Sequence, residues 1–253
     1  MTTGRTTLDK SRIYVDGYDM SGYSRSFGPL SCVFAEGVDD AVTLPVKATL
    51  LDQAEISIGS LNGLFDNSAN GIHALMKGAG VKRNVMVALG IQAAPANNDP
   101  VFCGAFEQLG YYGDPANNPV YVTIPFGGTG QLAGNINYAQ PWGSLLLAKA
   151  TKTAANSATG LDQLAATTKG GWMMYQLFAG NGTASLKVQH ASTNSDGSFS
   201  DLLSSGSIDC SNPTSGIVQL AKTATVNRYV RWQIALGTAT TVTLAISFHR
   251  NYK

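Results

Sequence analysis

Apolar residues recur at every second position through many short stretches of this chain, the period of a half-buried β-strand. The clearest stretch is 101–126, which reads as two strands joined by a connection dense in Gly, Asp, Pro and Asn. In its second arm Val120, Val122, Ile124 and Phe126 share one face, with Tyr121 and Thr123 on the other. In its first arm Val101, Cys103, Ala105 and Leu109 oppose Phe102 and Phe106, and Glu107 and Gln108 interrupt the end. A two-stranded ribbon is marginal in water, so this hairpin must pack on further strands. The first half supplies them. Ile13 and Val15 begin a short strand that runs into the turn dipeptide Asp16-Gly17. Residues 31–35 alternate, with Cys32 and Phe34 against Val33; 54–58 places Ile56 and Ile58 on one face; and 84–91 is an apolar strand. The segment from Asp39 and Asp40 to Pro45 reads as an exposed loop, as does 93–100. One short helix is predicted over 68–77, with Asp66 or Asn67 to cap it, Ile72, Leu75 and Met76 at helical spacing, and Gly78 to end it.

Beyond residue 140 a second β pattern begins. Strands are predicted at 144–150, 172–178, 184–190, 217–222, 227–236 and 240–249, with a long Ala/Thr/Ser/Asn-rich connection at 151–171. Leu186 and Val188 alternate with Lys187 and Gln189, Tyr229 and Arg231 with Val230 and Trp232, and Leu244, Ile246 and Phe248 with Thr243, Ala245 and Ser247. Short strands bounded by Gly, Asn, Asp or Ser at this spacing predict an antiparallel sandwich.

Composition and charge sharpen this division. A chain of 253 residues can bury a sizeable core as one large or two ordinary β domains, and 28 Gly with 13% charged residues suit strands and tight turns. The net charge of +1 points to neither a nucleic-acid reader nor a polybasic membrane anchor. Its distribution is uneven: residues 1–139 hold 8 Lys/Arg against 12 Asp/Glu, and 140–253 hold 9 against 4, so the halves carry −4 and +5. That asymmetry favours two domains, 1–139 with a polar N-terminal arm over 1–12, and 140–253. The stretch 127–134 reads as a flexible Gly-rich crossing. Its Gly128-x-Gly130 lacks both a following helix and a Gly-Lys-Ser/Thr, so it is no phosphate loop. With no apolar signal core and no membrane-spanning apolar run, the protein is expected to be made in a cytoplasm without an export signal.

Candidate chemistry is sparse. Cys32, Cys103 and Cys210 are odd in number and outside any CxxC pattern, which reads as three separate thiols. His73 on the helix, His190 after a strand and His249 in the last strand sit in unrelated contexts, and there is no HExxH or GxSxG. Ser/His/Asp triads assemble from distant residues, and spacing does not test for one. Trp172, Tyr175, Tyr229 and Trp232 are side chains that could stack on a sugar, and Asn194 with Asp196 could bind hydroxyls or calcium; strand aromatics are more often core, and Asn-Ser-Asp-Gly-Ser is more often a turn. Asn181-Gly-Thr matches a glycosylation sequon and reads as a turn. No catalytic, cofactor-binding or metal-binding residue is assigned.

The run Ile13-Tyr-Val-Asp-Gly-Tyr-Asp-Met-Ser-Gly-Tyr23, then Gly59-Ser-Leu-Asn-Gly-Leu-Phe-Asp66, then the helix with Gly71-Ile-His-Ala-Leu75 and the paired strands after it, resembles tail tube (major tail) proteins of long-tailed bacteriophages. The resemblance covers roughly residues 13–138 and rests on turns and strands. It implies a mainly β fold, a tail-tube-like sandwich or barrel with one short flanking helix. It also implies six copies closing a ring, and rings stacking into a hollow tube. The implied partners are further copies of the chain, a tape-measure protein, tail-end proteins and double-stranded DNA in non-specific transit. The implied location is a virion assembled in the host cytoplasm, without membrane insertion. Residues 172–202 and 227–250 resemble the small β-sandwich appended to many phage virion proteins, itself similar to carbohydrate-binding jelly rolls and immunoglobulin-like domains. The expected function is therefore non-enzymatic: a virion structural protein forming a conduit for DNA ejection. The alternative is a capsid decoration or host-glycan-binding adhesion protein built from two β domains.

Overall fold

The computed structural model describes residues 7–39, 48–91, 93–116, 119–127 and 140–251. Among them the first lobe contains β1 (Ser11–Val15), β2 (Tyr18–Asp19), β3 (Ser24–Asp39), β4 (Ala48–Leu64), helix α1 (Ile72–Met76), β5 (Val81–Leu89), β6 (Pro100–Gln108), β7 (Tyr112–Asp114) and β8 (Tyr121–Gly127). The second contains β9 (Trp142–Lys152), β10 (Asn156–Ser157), β11 (Leu161–Asp162), β12 (Gly171–Gly180), β13 (Thr183–Ala191), β14 (Ser200–Asp209), β15 (Thr214–Gln219), β16 (Tyr229–Ala235) and β17 (Val242–Arg250). The fold is mainly β with antiparallel sheets and one helix, as the alternation predicts.

Each lobe is a sandwich. In the first, β6-β5-β1-β2 faces the layer formed by β3, β4, β8 and β7. Ile13, Val15, Val85, Val87, Phe102 and Phe106 from one layer meet Ile56, Ile58, Leu61, Val122, Ile124 and Phe126 from the other, while Ile72 and Met76 of α1 contribute to the same core. In the second, β15-β12-β17-β9 faces β16, β13 and β14, with Met173, Leu244, Ile246 and Phe248 against Leu186, Val188, Val230, Trp232 and Ile234. The faces read from the alternation of 101–106, 186–189 and 243–248 are the faces observed.

The strand partners differ from the expectation at the most prominent place. The two arms of 101–126 do not form one hairpin. β6 pairs along its length with β5, from Ala88↔Val101 to Val81↔Gln108, and at its start with β9, whereas β8 pairs with β4 and β7. β6 and β8 touch only at Glu107↔Gly127 and Gln108↔Phe126. The reason is that β6 is apolar on both faces, so it belongs inside a sheet, while the one apolar face of β8 completes the opposite layer. The helix is also shorter than the predicted 68–77. Asp66 caps a turn instead: its carboxylate accepts from Ser68 N at 2.7 Å and its carbonyl from His73 N at 3.0 Å. β14 has no counterpart among the predicted strands, because only Leu203 and Ile208 of its Ser/Asp/Gly-rich sequence are buried. The loop expected from Asp39 to Pro45 lies outside the described residues from Asp40 onward, as does the first half of the N-terminal arm.

The expected boundary at 139/140 and the crossing over 127–134 fall almost wholly outside the described residues. On either side of it the lobes are not independent. The β6–β9 pairing (Val101↔Gly143, Phe102↔Trp142) joins one layer of each sandwich into a single sheet. That sheet curls until the outward faces of its two halves meet, enclosing a third core of Tyr14, Met86, Ala88, Val101 and Cys103 from the first lobe with Leu145, Trp172, Met174 and Ala245 from the second. The Asp16-Gly17 turn closes it. Asp16 and Gly17 have φ of 51° and 84°, the left-handed pair that a tight two-residue hairpin requires. Gly17 N donates to Gln176 Oε1 at 2.6 Å, and Gln176 Nε2 donates to Asn84 O at 3.0 Å. Lys149 and Asp19 pair across the lobes at 2.8 Å.

Candidate assembly surface

The longest strands of the molecule, β3 and β4, pair with each other from Ser24↔Gly63 to Asp39↔Ala48. Only the base of this ribbon belongs to the body. There β4 also pairs with β8 over Ser60–Leu64, Ile56 and Ile58 are buried, and Leu30 and Cys32 pack partly against the same core. Beyond Cys32↔Ile56 six further register pairs continue with no third strand among the described residues. At a rise of ~3.3 Å per residue this is about 20 Å of two-stranded ribbon. Such a ribbon is marginally stable by itself, and among the described residues no strand pairs with either of its edges. The sequence also makes it acidic: residues 36–55 hold Glu36, Asp39, Asp40, Asp52 and Glu55 against Lys47, so this one segment carries a charge equal to the whole −4 of residues 1–139.

Next to the ribbon base lies the outward face of the β3-β4-β8-β7 layer. The inward side chains of β8 are Val122, Ile124 and Phe126, which leaves Tyr121 and Thr123 outside. The same parity puts Asn62 and Leu64 of β4 and Tyr112 and Asp114 of β7 on this face. A polar ladder crosses it, with Thr123 Oγ1 donating to Asn62 Oδ1 at 2.8 Å and Asn62 Nδ2 donating to Ser26 Oγ at 3.0 Å. Arg25, carried at a register shift in β3, reaches across Gly63 and lies over the Tyr121 ring, 4.5 Å from its centroid. Arg25, Ser26, Asn62, Tyr121 and Thr123 line a shallow groove of about 370 Å³. Tyr112 (63% exposed), paired opposite Thr123, stands beside it. Sequence reading placed Tyr121 and Thr123 on the outer face but missed Arg25, a single cation with no motif around it.

The residues considered for chemistry are placed elsewhere. Trp172 and Trp232 are buried, the first in the shared core with its indole N–H donating to Gln140 O at 3.2 Å, the second in the second-lobe core. Neither can stack on a sugar, which removes the central residues of the glycan reading. Tyr175 packs against the second core and over Gly216, and Tyr229 lies beneath Arg228. Asn194 exchanges two hydrogen bonds with the Gly160 backbone, and Asp196 pairs with Arg231 at 2.6 Å. Asn181 ties a turn by bonding Thr240 through both its amide nitrogen and its oxygen.

His73 donates to or accepts from Tyr111 at 3.0 Å at the boundary of the first lobe, and His190 accepts from Asn227 N at 3.1 Å. Burial, and then Arg250, holds the His190 pKa below its usual value. His249 is stacked on Trp172 with ring centroids 3.8 Å apart, and its Nε2 lies 3.0 Å from Ser247 Oγ, which in turn is 3.4 Å from Cys103 Sγ. A Ser–His pair is therefore present, but it is sealed in the shared core, where burial lowers the His249 pKa to about 3 and raises that of the Cys103 thiol. A substrate cannot reach it, so the trio is core packing. Among the described residues no cluster of three or more His, Cys, Asp or Glu is arranged to hold a metal.

Among the described residues, four cations of the second lobe are committed to groups of the chain itself. Lys187 pairs with Asp201, Arg228 with Asp162 and Arg231 with Asp196. Arg250 is buried and donates to the carbonyls of Ala165, Val226 and Asn227.

No family model matches the chain, and no curated protein matches it. Among solved structures it is similar to the SPP1 Dit protein, described as a paradigm of the hub adsorption apparatus in phages infecting Gram-positive hosts. The TM-score is 0.34 and the identity 9%, over 96% of this chain and 99% of that one. So loose a superposition leaves the function to be argued from this chain's own residues.

Proposed function

We propose that this chain is a structural protein of a bacteriophage tail, closing into rings that stack as the tail tube through which DNA leaves. The observation that carries this reading is the β3–β4 ribbon, which extends about 20 Å past its own core as two strands that need a neighbour. The resemblance of residues 13–138 to tail tube proteins names the kind of assembly. Hexameric closure, the tape-measure and tail-end proteins as partners, and the virion as location follow from that resemblance. The role is mechanical: pairing and packing between copies order the ribbon and build a wall, and the second lobe, fixed to the first by the shared core, stands on the outside.

Electrostatics supports a conduit. Duplex DNA carries one negative charge per ~1.7 Å of axis, so a basic wall would hold it by counterion release, whereas a neutral or acidic wall lets it pass. The first lobe has the acidic balance, concentrated in the ribbon segment. Electron microscopy of the purified protein tests the reading. Stacked hollow rings are expected, with more acidic than basic side chains on the inner wall and with Lys187, Lys222, Arg228, Arg231 and Arg250 absent from it. Single rings that never stack would keep the ring and overturn the tube. A strictly monomeric protein would overturn both, and a lumen lined by Lys and Arg would overturn the conduit.

A further inference from the structure

We propose that β15 is a strand-addition edge whose occupant is β15 of a second copy, so that two chains join as an antiparallel pair about a two-fold axis. The contact lies in the second lobe and is two-fold, whereas ring closure is head-to-tail, so it stands independently of the ring reading. β15 ends the shared sheet, with β12 beside it, and its ladder runs without a register shift from Leu177↔Thr214 to Trp172↔Gln219. Leu220 N donates to Gly171 O at 2.9 Å, which fixes the alternation of this antiparallel ladder. Thr214, Gly216 and Val218 bond to β12, and the N–H and C=O groups of Ser215, Ile217 and Gln219 point out of the sheet. Among the described residues nothing bonds to those outward groups.

Other edges carry the devices that deter pairing. β14 has Asp201, Asp209, register shifts against β13 and Gly206 at φ +68°, and β3 has Arg25, Pro29 and several register shifts. β2, β7, β10 and β11 are only two or three residues long. β15 has no charge, no Pro and no bulge. It is also held from both faces before any partner arrives: Ile217 packs on the shared core, Val218 on the second-lobe core, and Asn84 Nδ2 donates to Ser215 Oγ at 3.0 Å. An uncharged strand can face its own copy without like-charge repulsion. The register centred on Ile217 sets every outward residue opposite another, Ile217 against the partner's Ile217 and Ser215 against the partner's Gln219, with two hydrogen bonds at each such pair. Ile217 gains an apolar cross-strand neighbour. Gln219 gains what it lacks: its Nε2 is buried with no acceptor among the described residues, and the partner's Ser215 hydroxyl would lie directly opposite on the same face.

The test uses the full-length protein. Residue-resolved amide exchange by NMR should find the N–H groups of Ser215, Ile217 and Gln219 protected in concentrated protein and open on dilution, while those of Gly216 and Val218 stay protected throughout. Gln219→Pro removes an outward N–H and no bond to β12, so the melting temperature should hold. Pairing, followed by sedimentation velocity, should weaken by at least about tenfold, since a bond is lost from each copy and the ring of proline fills the space of the incoming strand. Ile217→Lys and Ile217→Glu should each pair poorly alone and pair with one another when mixed, because position 217 faces itself across the axis. Protection of the three outward amides that does not depend on concentration would show the edge covered by its own chain and overturn the proposal. Pairing of Gln219→Pro as tight as that of the unmodified protein, or a mixture that pairs no better than either variant alone, would also overturn it. Rings in which the three amides still exchange fast would overturn the pairing and leave the ring standing, and pairs without rings would do the reverse.

Discussion

Gly17→Ala measures how tightly the two lobes are clamped. Gly17 has φ of +84°, and a methyl placed there would lie 2.4 Å from Leu177 O and from Thr214 N, backbone atoms of the second lobe that cannot swing aside. Gly206 is the control, since its φ is +68° but nothing lies within 4 Å of an added methyl. Left-handed backbone alone costs a non-glycine residue about 1–2 kcal/mol, and both substitutions incur it. Gly17→Ala also forces the turn off β12 and β15, at about 1–3 kcal/mol for overpacking. The displaced turn breaks the bond from Gly17 N to the fully buried Gln176, which costs about 1–3 kcal/mol for an unsatisfied buried group. The sum is about 3–8 kcal/mol for Gly17→Ala against about 1–2 for Gly206→Ala. At about 2–4 °C per kcal/mol for a chain of this size, the melting temperatures should fall by at least about 10 °C and by about 3–6 °C. Urea unfolding followed by tryptophan fluorescence reads the same difference, because Trp172 lies in the shared core. Equal losses for the two variants would refute the claim that the turn is wedged into the second lobe.

A chain truncated after residue 139, which the charge and spacing of the sequence expect to stand alone as a tube-forming domain, should instead be insoluble or aggregated. It bares Tyr14, Met86, Ala88, Val101 and Cys103; a soluble fragment with cooperative unfolding would contradict the shared core. His249 should make stability depend on pH. Its folded pKa of about 3 lies below the ordinary histidine value of 6.5 that holds in the unfolded chain, so below pH 6.5 the unfolded state binds the proton and the folded state does not. The contribution is complete above pH 6.5 and declines as the pH falls towards 3, at about 1.4 kcal/mol per pH unit. His249→Gln should flatten the slope between about pH 6.5 and 5, and an unchanged slope there would rule out this histidine as its source. Hydrogen exchange should be fast over the ribbon strands 33–39 and 48–55 in the monomer and slow in the assembled protein; equal protection in both states would argue against ordering by a neighbour.

The sequence by itself determined what can be read within a few residues. Period-two alternation located most strands and assigned their faces correctly, as in Phe102 and Phe106 against Val101 and Cys103, because the two sides of a strand see different surroundings whatever its partner. Asp16-Gly17 announced its turn, because few residue pairs tolerate two left-handed backbones in succession. Partner choice was not legible. Alternation says that β6 is buried on both faces but not that β5 and β9 flank it, since pairing is a contact between distant segments. Tertiary structure alone decided that Trp172 and His249 stack in a third core instead of facing a ligand, because that core exists only once the shared sheet curls. The groove at Arg25 is likewise a product of folding. Its residues come from β3, β4 and β8, and the register shift between Ser24 and Ser26 sets Arg25 over Tyr121.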